Sequence, residues 1–379
     1  MKQKGNIMTT QKSLDIQMWN AIRGRDSRKL DEGSLKALTV ALDLGANPNC
    51  LYIDENGRPG TDSWYSKITP LLYITEHMYD ESPNFKYQEQ MAALLINKGA
   101  DVNARDASNY TPLMNSAKGN ALNTVKLLIA KSADINAVWG YGTNELYSKD
   151  WDVRTALGFA RTPEMMQMLL DHGAEPNKGE DCFGNSPLHQ VCEYIYYDYG
   201  DGKNVDKYLR MISMLLDHGA DPDDMNLKLL TPMMVICGAD IDEKYRKVVS
   251  SDVKLVVIKM LFEHGANINQ DSYRRTALWF AAQSEDWPVV EALAFNGAVL
   301  NRGHVSGLSE EAERHALSII NDVHKWQEEK RRQEALKAKT TWRGPSEQKI
   351  ADLRQGQNAV NALDEAKQIR KPKSDEYSM

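Results

Sequence analysis

Three side chains able to do chemistry stand close together in the middle of the chain: Cys182, His189 and Cys192. A thiolate beside an imidazole can act as a nucleophile with its base. Two sulfurs and a nitrogen make three quarters of a zinc shell. His189 and Cys192 lie three residues apart on an expected helix, and Cys182 lies in the loop before it. A fourth ligand and a second Cys-x-x-Cys pair are missing, so no metal is expected, and an enzyme or secreted effector with a site in the inserts around these three is kept only as the alternative function. His172, His218 and His264 recur in what reads as the last turn of a helix, where a ring N–H meets the partial negative charge of the helix end. Gly140-Tyr141-Gly142 lacks the strand and third glycine of a dinucleotide loop. Asp198-Tyr199-Gly200-Asp201-Gly202 lacks the alternating carboxylates and closing Glu of a calcium loop. GxSxG, P-loop, HExxH and kinase motifs do not occur in the sequence. No catalytic residue and no cofactor is expected.

The elements that carry these histidines are repeats. A Leu-rich stretch closes on Gly-Ala-Asx or a near variant seven times, with the alanine at Ala46, Ala100, Ala133, Ala174, Ala220, Ala266 and Ala298. Six of the units open on Thr-Pro-Leu or a relative of it: Thr69-Pro70-Leu71, Thr111-Pro112-Leu113, Thr155-Ala156-Leu157, Ser186-Pro187-Leu188-His189, Thr231-Pro232-Met233 and Thr276-Ala277-Leu278. Threonine at the N-cap accepts a free N–H of the first turn, and proline at the first helical position loses no bond. A second helix follows in each unit, with apolar stripes such as Met91/Leu94/Leu95, Val125/Leu128/Ile129, Met166/Leu169/Leu170, Ile212/Leu215/Leu216, Ile258/Leu261/Phe262 and Val289/Leu293. Gly at the close supplies a left-handed backbone, and Asn or Asp after it can bond its own turn. Ser132 replaces that glycine in the third unit and is expected to strain the turn.

This Thr-Pro-Leu, helix, helix, Gly-Ala-Asp layout resembles the ankyrin repeat over about residues 14–301. The resemblance implies an all-α helix-turn-helix solenoid of about seven repeats with β-hairpin fingers, followed by a C-terminal helical extension. It also implies a protein-protein interaction module, an adaptor, scaffold or inhibitor, whose partner lies along the concave groove edged by the fingers. The family's closing His of the opening tetrapeptide is present only as His189, so its inter-repeat hydrogen bond is expected in one place. The first unit lacks the opening motif. Helices over 14–22 and 34–44 are expected there, with Trp19 and Ile22 turned inward as an N-terminal cap.

The spacing from closing alanine to closing alanine runs 54, 33, 41, 46, 46 and 32 residues, so four units carry inserts. Two inserts are aromatic fingers, holding Tyr52, Trp64 and Tyr65 in one and Trp139, Tyr141, Tyr147 and Trp151 in the other. Large rigid rings in loops either dominate a binding surface or fold back to anchor the loop. These seven are the candidate partner-binding residues. Further inserts near 76–88, 194–206 and 239–252 fall between paired helices; the middle one is rich in Tyr and Asp.

The net charge of −7 and pI near 5.7 argue against nucleic acid. Residues 308–379 hold 14 basic and 13 acidic residues, leaving 32 basic and 40 acidic before them, so the array is the acidic part. A protein partner with a basic or mixed surface is expected, and a monomer. Four cysteines make no disulfide framework. No apolar run is long enough to span a membrane, and no signal peptide is expected at the basic start, so the expected location is cytoplasmic. Domain expectations are a disordered tail over 1–13, the solenoid over 14–305, a capping helix over 306–343 with the stripe Ala316/Ile319/Ile320/Val323/Trp326, and a weak helix with a disordered tail over 344–379.

Overall fold

The computed structural model describes residues 2–24, 29–52, 67–140, 153–198, 204–246, 248–300 and 307–341. It divides into one unit over Met1–Ile320 and a second over Asn321–Met379. The first is a run of paired helices. They are α1 (Lys2–Arg23) with α2 (Glu32–Asp43), α3 (Pro70–Glu76) with α4 (Phe85–Asn97), and α5 (Pro112–Lys118) with α6 (Leu122–Ala130). Then come a 3-10 turn (Leu157–Phe159) with α7 (Pro163–Asp171), α8 (Pro187–Asp198) with α9 (Val205–Asp217), and α10 (Pro232–Ile236) with the short α11 (Glu243–Arg246) and α12 (Ser251–Glu263). The series closes with α13 (Ala277–Gln283) and α14 (Trp287–Phe295), and α15 (Glu310–Thr341) follows. The first helix begins at Lys2, where a tail to residue 13 was expected. Trp19 and Ile22 are buried, as their pattern required.

The opening motifs act as caps. The hydroxyls of Thr69, Thr111 and Thr231 accept the N–H of Leu72, Met114 and Met234 at 3.4, 3.3 and 3.3 Å. The fourth unit departs from this plan. Its first helix shrinks to a single 3-10 turn because Thr162-Pro163 starts the next helix three residues later, and a residue before proline is pushed out of the helical region. The second-helix stripes form the core: Met91, Leu95, Val125, Leu128, Leu169, Ile212, Leu215, Leu261, Val289 and Leu293 are all buried. Phe262, placed in that stripe by spacing, is instead 43% exposed.

The inserts between paired helices take three forms. The first folds as a loop onto the next unit, where Asp80 N–H donates to Gly119 O at 3.1 Å and Asn120 donates to Asp80 at 2.7 Å. A Cβ at Gly119 would lie 1.6 Å from Met78 O, so only glycine admits this approach. The second lengthens α8 to Asp198. The third contains α11. Between the last two units lies a buried ion pair that the sequence pattern did not announce. Lys254 Nζ sits 2.7 Å from Asp286, whose other oxygen accepts from Ser251 Oγ at 2.6 Å.

Successive units are joined by a ladder of asparagines. In each Gly-Ala-Asx turn the first Asx accepts the N–H two residues on, as in Asn103 to Asp101 and Asn136 to Asp134. The second Asx reaches the following unit. Asn103 donates its amide to Ser132 O at 3.3 Å and accepts Asp134 N–H at 2.7 Å. Asn49, Asn136, Asn177 and Asn269 make the same two bonds to Gly99/Asp101, Gly173/Glu175, Gly219/Asp221 and Gly297/Val299. The fingers, expected as β-hairpins, carry no regular strand among the described residues. They are held by single bonds such as Asp106 N–H to Tyr110 O and the bridge of Ser272 with Arg275. Two-residue tips with left-handed backbones, such as Tyr273-Arg274, leave no length for a ladder.

The second unit's described part is the C-terminal stretch of α15, which is dense in charges of both signs; Trp326 is 52% exposed there, with Lys330 Nζ 5.1 Å from its ring centroid. Within the first unit Ala316 and Ile320 of the expected stripe are buried and Ile319 is half-buried. The expected weak helix after 344 lies outside the described residues.

Two substitutions test the turns. Ser132 holds φ +64° where the other closing turns place glycine between +88° and +101°. Ser132→Gly is expected to stabilise the array by about 1 kcal/mol in denaturant titration. Asp223 occupies an asparagine rung: it accepts Asn267 N–H at 2.8 Å but has no N–H to donate, and burial pushes its carboxyl up. Asp223→Asn is expected to add about 1 kcal/mol; a loss of stability would contradict the donor's role.

Candidate functional site

Two members of the titratable cluster at the centre of the chain, His189 and Cys192, are buried. His189 is fully buried, with Nδ1 2.8 Å from Ser186 Oγ and Nε2 2.8 Å from Leu230 O. A carbonyl can only accept, so Nε2 carries the proton and Ser186 donates to Nδ1. The ring ties the fifth unit to the sixth, the one inter-repeat histidine bond expected, and burial pushes its pKa down. Cys192 is buried and its thiol is pushed up to about 12, far from the thiolate a nucleophile needs. Cys182 is half-exposed in its finger. Among the described residues no group of three or more His, Cys, Asp or Glu side chains could hold a metal ion.

The other recurring histidines cap helices. His172, His218 and His264 stand at the C-caps of α7, α9 and α12, and Nδ1 of each donates to the carbonyl four residues back, of Met168, Met214 and Met260, at 2.7, 2.7 and 2.8 Å. Nε2 of His264 reaches Asp217 of the preceding unit at 3.3 Å, and Nε2 of His218 lies 3.8 Å from Asp171.

Of the candidate partner-binding rings, Tyr52 and Trp139 are described; Trp64, Tyr65, Tyr141, Tyr147 and Trp151 lie outside the described residues. Tyr52 is half-buried, edge-on to Trp19 at 5.0 Å and beside Tyr73 at 6.3 Å, with the Arg23 guanidinium over its face at 5.4 Å. Trp139 is half-buried against Tyr110 at 4.8 Å and Phe159 at 6.1 Å, and its N–H donates to Arg154 O at 2.9 Å. Its indole Nε1 is buried and finds no acceptor among the described residues.

The structure adds partners that spacing did not single out. Lys118 lies over Tyr110 at 6.0 Å, Arg154 over Phe159 at 5.4 Å and Arg161 over Tyr194 at 4.4 Å. Tyr110 meets Phe159 at 5.5 Å, so these contacts run from the end of α5 through the 3-10 turn to the second half of α8 as a row of cations laid on rings. Arg154 and Phe159 were visible as neighbours of an opening motif, and Arg275 lies over Trp279 at 4.6 Å beside the last opening motif in the same way.

A family profile described as "Ankyrin repeats (3 copies)" matches residues 33–138, and one described as "Ankyrin repeat" matches residues 183–227. Over those residues the chain is built of ankyrin repeats. Mouse "B-cell lymphoma 3 protein homolog" is 30% identical over 101 residues, covering 26% of this chain and 20% of that protein. Human "Transient receptor potential cation channel subfamily A member 1" is 32% identical over 118 residues, covering 31% of this chain and 10% of that protein. The chain therefore spans a fifth or less of these relatives. Among solved structures, the human ASB11 ankyrin repeat domain aligns with a TM-score of 0.44 and 20% identity over 71% of this chain and 95% of that one. No helix among the described residues is long and apolar enough to cross a membrane.

The His264 contacts carry a pH dependence. Its bond to Met260 O and its contact with Asp217 raise its pKa above the usual 6.5. A raised folded value means the contribution is complete below the unfolded value and is lost as pH rises through the folded one. Asp217→Asn is expected to lower the His264 titration midpoint in NMR and to shrink the fall in melting temperature from pH 6 to 8; an unmoved midpoint would exclude the contact.

Proposed function

We propose that this chain is a non-catalytic adaptor, scaffold or inhibitor that holds a protein partner along its first helices and inserted aromatic fingers. Ankyrin repeats are in general protein-protein interaction modules, and this array builds a surface rather than a substrate cavity. The observation that carries the reading is the row of half-exposed rings and cations from Tyr110 to Tyr194, at the base of one aromatic finger. Tyr and Trp bury large rigid area on binding and keep a polar handle, which suits such a surface. The committed, buried geometry of His189 and Cys192 supports a non-catalytic role over the enzymatic alternative. None of the four cysteines forms a disulfide, which is compatible with a cytoplasmic, reducing setting, and we take the chain to act as a monomer.

Affinity capture of the tagged chain from its native lysate tests this. Trp64, Tyr65 and Trp151 are replaced together by alanine, while the half-buried Trp139 is left in place. The expected result is a partner protein lost from the variant with an unchanged melting curve. An identical catch from both chains would sink the finger assignment.

A further inference from the structure

On a chain of net charge −7, the surface from the end of α5 to the second half of α8 presents cations. Lys118 and Arg161 are exposed, each over a tyrosine ring, and neither pairs with a carboxylate among the described residues. Arg154, half-exposed between them in the chain, lies on Phe159, and Gly158 beside it has no side chain to cover the surface; a Cβ there would sit 3.4 Å from the Arg154 side chain. The sign reverses at the far end of the row: Glu193, next to Tyr194 on α8, is half-buried, and burial with the nearby Asp181 and Asp240 raises its pKa.

We propose that the row Lys118, Arg154, Arg161 with Tyr110 and Tyr194 receives an extended, carboxylate-rich peptide segment of a partner protein. This rests on the protein-binding reading above and names its partner chemistry, in place of the basic or mixed surface expected from net charge alone. The Arg161 guanidinium, lying on the Tyr194 ring, presents its edge N–H groups for bidentate contact with a carboxylate, and the rings offer apolar area between acidic side chains. Three consecutive units stacked roughly 10 Å apart span about 20 Å, or about six extended residues. The acidic neighbourhood of Glu193 repels further carboxylates and so ends the segment there. The same repulsion, with the chain's net charge, disfavours a polyphosphate backbone, although rings and cations together could also suit single-stranded RNA.

Fluorescence anisotropy on the full chain tests the assignment. The probes are a labelled peptide of about ten residues alternating Asp/Glu with Phe, its Asn/Gln counterpart, its Lys counterpart, and a uridine oligonucleotide of similar length. The acidic peptide is expected to bind at least tenfold tighter than the neutral one, and to weaken as salt rises. Lys118→Glu with Arg161→Glu, both at exposed positions, is expected to remove that preference without moving the melting temperature. Equal binding of acidic and neutral peptides, an undiminished preference in the double variant, or tighter binding of the oligonucleotide would each overturn the proposal. Its failure is separable from that of the function. Should the acidic preference be missing while the finger variant still loses a captured partner, only the partner chemistry falls; should neither chain capture a protein, the adaptor reading falls on its own experiment.

Discussion

Wherever the second Asx after a closing turn is asparagine, one side-chain amide serves two backbone groups of the next unit: it donates to the carbonyl of the closing Gly or Ser and accepts the N–H that follows the alanine. Five asparagines make this pair of bonds, from Asn49 to Asn269. These bonds set the distance and rotation between neighbouring units. The buried alanines, the packed stripes and the placing of every finger depend on that register. A bond made by a side chain to backbone is indifferent to what the neighbouring unit carries, so units of very different length can stack on one rule.

That indifference is what allows the inserts. The fourth unit loses most of its first helix and the sixth gains α11, yet the rungs on either side are kept or nearly kept. Where the rung is Asp223, only the accepting half survives, and at the same junction His264 reaches back to Asp217. The last two units are joined in addition by the buried pair of Lys254 and Asp286. Charges that deep are tolerated only because each finds further partners, here Ser251 Oγ and Arg246 O.

The surface is built across the stacked units. In the fourth unit the first helix is a single 3-10 turn, and Arg154, just before it, lies on Phe159 much as Arg275 lies on Trp279 in front of the full helix α13. The contacts of Lys118, Arg154 and Arg161 with Tyr110, Phe159 and Tyr194 run across the third, fourth and fifth units. An acidic chain thereby acquires a local cationic face.

Much of this was legible in the chain itself. The Thr-Pro openings, the glycine closings and the stripes between them are local rules, enforced by caps, backbone conformation and a 3.6-residue period, and each is written within about thirty residues. The left-handed Ser132 and the inter-repeat role of His189 followed from the same register. The ladder did not, because an asparagine that bonds its own turn and one that bonds the next unit look alike in sequence; only stacking separates Asp101 from Asn103. Nor could spacing show that Tyr52 and Trp139 lie half-buried on Trp19, Tyr73, Tyr110 and Phe159, or that Lys118, Arg154 and Arg161 share a face. Repeat identity is a matter of local backbone chemistry and is carried by the sequence alone, whereas the charge and shape of the surface depend on which side chains meet across units, and that is decided by the tertiary stack.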